Sequence, residues 1–81
     1  MKITVLCFAA ARDATGVATL SLELEPGARV ADASAILVVR HPGLAPAVPV
    51  LRFAVAEEFV PPEHVLHDGD TLALLPPVSG G

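Results

Sequence analysis

The chain has 81 residues, of which 53% are hydrophobic and 17% are charged, and its formal net charge is −4. A chain of this length forms one domain with a small core, and the acidic balance argues against a nucleic-acid surface. No apolar run approaches the roughly 18 residues of a membrane span, so we expect a cytoplasmic protein with no membrane contact. The apolar content exceeds what so small a core can hide, which predicts an exposed apolar surface and a protein partner.

The first half of the chain predicts two strands and one helix. Residues 3–8 are rich in β-branched and aromatic side chains, and residues 19–24 alternate polar and apolar, so both predict strands. Residues 12–16, between them, are expected to form a loop. Residues 30–40 lack Gly and Pro and place Asp32 in the first turn, which predicts a helix of three turns.

The second half predicts three more strands after a connection rich in Pro and Ala. In chain order the predicted segments are the connection at 43–49, a strand at 50–55, a turn at Glu57 and Glu58, a short strand at 59–60, a tight turn at 67–70 and a strand at 71–75. One helix laid across one face of a mixed sheet of four to five strands is an α+β arrangement. It is the β-grasp architecture typical of ubiquitin-like proteins.

The last six residues differ in composition from the preceding residues, because four of them are Pro or Gly. Pro76 and Pro77 lack a backbone N–H, so they end the final strand and hold the following chain extended. Gly80 and Gly81 carry no Cβ and can pass through a slot too narrow for a side chain. We therefore predict a domain at 1–75 and a projecting tail at 76–81. Extended, the tail reaches at most about 20 Å, enough to enter another protein's active site.

Strand alternation predicts which residues face a partner. If Ile3, Val5 and Cys7 point toward the helix, then Leu6 and Phe8 point to the opposite face. The same rule turns Leu72 and Leu74 inward and Ala73 and Leu75 outward. Leu6, Phe8 and Leu75 would then form an exposed apolar surface beside the exit of the tail, with Arg12 as a polar contact at its rim.

No set of side chains in the sequence predicts a metal or acid–base site. Cys7 is the only cysteine, which excludes a disulfide, and we interpret it as a small buried residue rather than a sulfur-carrying thiol. The remaining candidates fit loop and turn roles better than metal or catalytic ones: His41, His64, His67, Asp68, Asp70, Glu57 and Glu58.

Three stretches carry a family resemblance over nearly the whole chain. They are residues 5–9 followed by Arg12, Asp13 and Gly16, the His-Asp-Gly-Asp turn at 67–70, and the ending Leu-Leu-Pro-Pro-Val-Ser-Gly-Gly at 74–81. Together they resemble the small, MoaD-type subunit of molybdopterin synthase, a ubiquitin-like sulfur carrier. The chain departs from the family pattern at Ala56, where relatives often carry Asn, and at Arg29, which stands at the helix cap.

The resemblance implies a cycle centred on Gly81. Its carboxylate is ionised at neutral pH and is a poor electrophile, so in the family an ATP-dependent activating enzyme adenylates it. Sulfur from a donor protein then replaces AMP, and the resulting thiocarboxylate delivers sulfur to a cyclic pterin precursor in the large synthase subunit. The tail residues that partners would bind are Pro76, Pro77, Val78, Ser79 and Gly80. No stably bound cofactor is implied, and the sequence lacks a phosphate-binding loop, so the activating partner would hold the ATP.

Three other functions stay open from the residues alone. A related sulfur carrier could serve thiazole synthesis, amino-acid synthesis, tRNA thiolation or a tungsten cofactor. A ubiquitin-like modifier would join Gly81 to lysine amines. An interaction module would carry an inert tail, since frayed chain ends are common.

Overall fold

The computed structural model describes residues 1–77, and the structural statements below concern that part of the chain. One mixed sheet has the strand order β2-β1-β5-β3-β4. The strands are β1 (Lys2–Cys7), β2 (Thr19–Glu23), β3 (Arg52–Val55), β4 (Glu58–Val60) and β5 (Thr71–Leu75), and the helices are α1 (Ala9–Thr15) and α2 (Val30–Arg40). The predicted β-grasp fold is confirmed. The predicted tail residues Val78, Ser79, Gly80 and Gly81 lie outside the described residues.

The central strands β1 and β5 are parallel neighbours, and every other strand pair is antiparallel. Leu6 lies opposite Ala73 and Cys7 opposite Leu74. The ladder continues one residue further, because the Phe8 N–H donates to the Leu74 carbonyl at 3.3 Å. Parallel pairing brings the carboxyl ends of both strands to the same end of the sheet, so Phe8 lies beside the point where β5 leaves the fold.

The core lies between α2 and one face of the sheet, as the alternation predicted. Ile3, Val5 and Cys7 of β1 and Leu72 and Leu74 of β5 are each 2% exposed or less. The face of α2 that meets them consists of three fully buried residues: Val30, Ala33 and Leu37. The helix therefore covers this sheet face and leaves the other face free.

The predicted loop at 12–16 is wrong, because these residues belong mainly to α1. The segment is rich in alanine, and Ala11 is fully buried. Gly16 ends the helix with φ 76°, and its N–H donates to the Arg12 carbonyl at 2.8 Å, a left-handed cap that favours glycine. A helix of seven residues is not stable alone in water, so the packing of Ala11 against the core holds it.

The first turn of α2 forms without a Ser, Thr or Asp at its cap. Asp32 contributes to the cap from inside the helix, since its Oδ2 accepts a hydrogen bond from the Arg29 backbone N–H at 2.8 Å. The Arg29 guanidinium donates to the Glu63 carbonyl at 2.8 Å. The N–H groups of Val30 and Ala31 reach carbonyls in the loop that follows β4. The loop thus accepts hydrogen bonds from backbone N–H groups of the first helical turn, which have no partner within the helix.

The connection between α2 and β3 is more ordered than the sequence predicts. It contains two short 3-10 helices, Pro42–Leu44 and Val48–Val50, and Leu44 is fully buried. The strand predicted at 50–55 begins only at Arg52. Pro49 lies inside the second 3-10 helix, where its fixed φ is suited to a helical turn and its missing N–H breaks no strand pairing.

The hairpin between β3 and β4 turns at Ala56 and Glu57, whereas the sequence predicted Glu57 and Glu58. Both turn residues have positive φ, 51° and 66°. A two-residue turn with left-handed values at both positions is type I′, which favours Asn and Gly. Ala and Glu therefore place two side chains in a conformation that L-residues rarely adopt.

Replacing Ala56 with Gly should raise the free energy of unfolding. An L-residue in the left-handed region destabilises the folded state by about 1–2 kcal/mol, which glycine would relieve. Glycine also has more conformational freedom in the unfolded chain, and this opposing effect lowers the free energy of unfolding by about 0.4–1 kcal/mol. We expect a net stabilisation of about 0.5–1 kcal/mol in urea denaturation.

The control is the same substitution at Ala35, an exposed residue in the middle of α2. Ala35→Gly should lower the free energy of unfolding by about 1 kcal/mol, because glycine is a poor helix former. If both variants lose stability to the same extent, Ala56 is not strained.

Candidate functional site

The free face of the sheet carries a row of apolar side chains that crosses four strands. Leu6 of β1 lies opposite Ala73 of β5, Ala73 opposite Ala54 of β3, and Ala54 opposite Phe59 of β4. Directly opposed residues project from the same face of a sheet. The two alanines therefore form a low floor between the larger side chains of Leu6 and Phe59.

This floor and its walls enclose a shallow depression of about 470 Å³. Glu57 and Thr71 are the polar residues of its lining. We call the apolar part of the lining the apolar patch, which consists of Leu6, Phe8, Ala54, Ala56, Phe59, Ala73 and Leu75. Phe8 is 44% exposed and Phe59 is 59% exposed. Fully burying a side chain of this size is worth about 1.5–3 kcal/mol. The patch is thus suited to be covered by another protein.

The structure brings three predicted partner-binding residues together. Leu6, Phe8 and Leu75 all line the apolar patch, and β5 ends at Leu75, immediately before exposed Pro76 and Pro77. Arg12 lies in the last turn of α1, is exposed and does not line the depression. The other predicted tail residues, Val78 to Gly81, fall outside the described part of the chain.

The sequence predictions missed Ala54, Phe59 and Arg52. Arg52 lies directly opposite Leu75 in the ladder between β3 and β5. Its guanidinium carbon lies 4.8 Å from the centroid of the Phe59 ring, within the range of a cation–π contact. Applying alternation to β3 and pairing it with β4 through the hairpin turn would have placed all three on the free face.

A larger groove of about 930 Å³ lies between α2 and the β3–β4 hairpin. Its lining is almost entirely apolar, with Ser34 and Arg52 as the polar residues. Leu6, Phe8 and Leu75 do not line it. We place the candidate site at the smaller depression because only that one contains the last residue of β5.

The polar residues of the predicted tight turn bind the backbone. Asp68 accepts the Lys2 N–H at 2.8 Å, and Asp70 accepts the His67 N–H at 2.8 Å. Gly69 between them has φ 86°. These hydrogen bonds are the ones expected of aspartate side chains that stabilise a tight turn.

Residues 1–77 contain neither a candidate metal site nor a candidate membrane span. No group of three His, Cys, Asp or Glu side chains there could hold a metal ion. In the same residues, no helix has the length and apolar character needed to cross a membrane.

Comparison with known families identifies the chain. The profile of the ThiS family matches residues 5–81. The chain belongs to the ThiS family. It is 40% identical to the molybdopterin synthase sulfur carrier subunit of Chlamydomonas reinhardtii over the whole of both chains. It is 34% identical to the human protein of that name, covering 99% of this chain and 94% of the relative. The resemblance to the small synthase subunit is confirmed.

Several solved structures share the fold. The putative molybdopterin converting factor subunit 1 of Pyrococcus furiosus is 30% identical with a TM-score of 0.86, covering 95% of this chain and 98% of that one. A chain in the crystal structure of the BexX/CysO complex of Amycolatopsis orientalis is 32% identical with a TM-score of 0.73, covering 98% of this chain and 99% of that one. The small archaeal modifier protein 1 of H. volcanii is 26% identical with a TM-score of 0.83, covering 95% and 98%.

Cys7 should react slowly with thiol reagents in the folded protein. Its side chain is 2% exposed in the core, so labelling requires the strand to open. We expect a maleimide to label native Cys7 about 100-fold more slowly than the unfolded chain.

The matched control is Val39→Cys, because Val39 is 80% exposed on α2. That variant should gain one rapidly labelled thiol. Rapid labelling of Cys7 in the native protein would contradict its burial and restore it as a candidate sulfur carrier.

Proposed function

We propose that this protein is the sulfur carrier of molybdopterin synthase, with Gly81 as the residue that carries sulfur. The observation that carries the proposal is the position of the apolar patch at the end of β5, the strand that leads into the Pro-Pro-Val-Ser-Gly-Gly segment. A docking surface beside that exit suits a domain that presents its last residues to other proteins. Full-length relatives named sulfur carrier subunits support the pathway.

The proposed chemistry begins with activation of the Gly81 carboxylate. One carboxylate oxygen attacks the α-phosphorus of ATP, and pyrophosphate leaves, giving an acyl adenylate. A sulfur nucleophile at the oxidation level of sulfide, derived from a donor protein, then attacks the acyl carbon, and AMP leaves with the bonding electrons. The product is a thiocarboxylate. Its sulfur attacks a carbon of the pterin precursor and displaces an oxygen leaving group from that carbon, which gives a thioester between Gly81 and the pterin. Water then cleaves the acyl–sulfur bond and regenerates the carboxylate.

Partner proteins supply the catalytic groups for these steps. The sequence contains one lysine, Lys2, and no phosphate-binding loop, so the activating enzyme binds ATP. The large synthase subunit binds the pterin precursor and receives the tail. Both partners cover the apolar patch in turn, since each must place Gly81 in its own active site.

A second candidate function is protein modification. Its support is the similarity to the small archaeal modifier protein 1 of H. volcanii. In that case the acyl adenylate at Gly81 would pass to a lysine amine of a target protein, and no thiocarboxylate would form.

Intact mass measurement separates these functions. After incubation with the activating enzyme, ATP and a sulfur source, the sulfur-carrier function predicts a gain of about 16 Da, because sulfur replaces one oxygen. The variant without Gly81 should show no gain. Formation of conjugates on other proteins, with no mass gain, would instead support the modifier function.

Charged substitutions in the apolar patch should abolish binding to the large subunit without unfolding the domain. Phe8→Asp and Leu75→Asp each place a carboxylate at a surface that must lose water on binding, a cost of several kcal/mol. We expect no detectable complex in calorimetry with either variant.

The control for these variants is Val39→Asp, which adds the same charge at an exposed residue of α2. It should bind like the wild type, and circular dichroism should show all three variants folded. Unchanged affinity of folded Phe8→Asp and Leu75→Asp would overturn the docking role of the patch.

A further inference from the structure

Arg52 combines three features that the proposed sulfur-carrier cycle does not use. Its backbone lies directly opposite Leu75, the last residue of β5. Its guanidinium stacks on Phe59 at 4.8 Å, and Phe59 is part of the apolar patch. Arg52 itself lines the larger groove, and Phe59 lines both the groove and the patch, so Arg52 places a positive charge at the border between them.

This charge is not neutralised within residues 1–77. The one contact there within ion-pair distance joins His67 Nδ1 and Asp70 Oδ2, at 4.0 Å, and does not involve Arg52. The chain has nine acidic residues against five basic ones, so carboxylates are available in excess. None of the described ones lies within ion-pair distance of Arg52.

The stack on Phe59 prepares the guanidinium for an external ligand. A guanidinium that lies over an aromatic ring keeps its N–H groups directed outward in its own plane, where they match the two oxygens of a carboxylate. The contact also restricts the side chain before binding, which lowers the entropy lost when a partner arrives.

A partner that covers the patch also reaches Arg52 at its edge. Arg52 lines the larger groove rather than the depression, but it is the cross-strand neighbour of Leu75 and its guanidinium lies over the Phe59 ring. A surface that covers Leu75 and Phe59 therefore also removes water from the guanidinium on that ring. Burying an unpaired charge costs several kcal/mol. A stable complex therefore needs an anion on the partner at this point.

We propose that Arg52, held by Phe59, binds an aspartate or glutamate carboxylate of the large subunit of molybdopterin synthase when that subunit covers the apolar patch. The proposal rests on the proposed function, because it takes the large subunit as the partner. It adds a charged contact that sets the position of the first tail residues relative to that subunit.

The test is calorimetric titration of the wild type and Arg52→Gln with the large subunit from the same organism, at low and high salt. Arg52→Gln keeps a polar, planar end group and removes the charge. We expect it to weaken binding about 30-fold or more, and to flatten the decline of affinity with salt, because screening acts on the lost ion pair.

Two further variants separate the contact from general effects. Arg40→Gln removes the same charge at the end of α2. It should change affinity less than about twofold, because an exposed charge outside the interface interacts only weakly with the partner through water. Arg52→Lys keeps the charge but lacks the planar pair of guanidinium donors. Its affinity should therefore lie between that of Arg52→Gln and that of the wild type, and its salt dependence should match the wild type.

The possible results are distinct. If the wild type binds and Arg52→Gln matches Arg40→Gln in affinity and salt dependence, the carboxylate contact is overturned while the proposed function stands. The same conclusion follows if Arg52→Gln weakens binding with an unchanged salt dependence, which would indicate a neutral acceptor. No binding by the wild type would overturn both the proposed function and this contact.

Discussion

The parallel pairing of β1 with β5 is the constraint on which the rest of this protein depends. Two parallel strands end at the same edge of a sheet, so Phe8, just after β1, and Leu75, at the end of β5, lie side by side. The chain leaves the fold at that edge through Pro76. Backbone hydrogen bonding in the centre of the sheet therefore makes the apolar patch a neighbour of the residue at which the last strand ends.

The two faces of the sheet have different roles because only one is covered. α2 buries the face formed by residues such as Val5 and Leu72. The opposite face keeps Phe8 and Phe59 exposed at one end, next to a floor of small alanine side chains. A domain of this size buries only about 60% of the surface its unfolded chain exposes. The apolar residues on the free face can thus contact a partner, and none of them is taken from the core beneath α2.

Much of the fold could be predicted from local patterns. The strands β1, β2 and β5 and the helix α2 have clear periodicity, and Leu6, Phe8 and Leu75 were placed on one face by alternation alone. The helix α1 was missed, although its run of alanines and Gly16 were a signal, because no cap residue precedes it and seven residues do not form a stable helix alone. The turn at Ala56 was misplaced because its residues lack the Asn or Gly that marks a type I′ turn.

The sequence by itself determined the class of the fold, the end of the last strand at Pro76 and the family resemblance of the closing residues, because each depends on residue type at neighbouring positions. Tertiary structure alone decided that the β3–β4 hairpin lies beside β5. Alternation and the hairpin turn relate Arg52 to Phe59 locally, whereas the position of Arg52 opposite Leu75 depends on register between two segments that are far apart in the chain. Register follows from packing one whole face of the sheet against the core, which no local pattern contains.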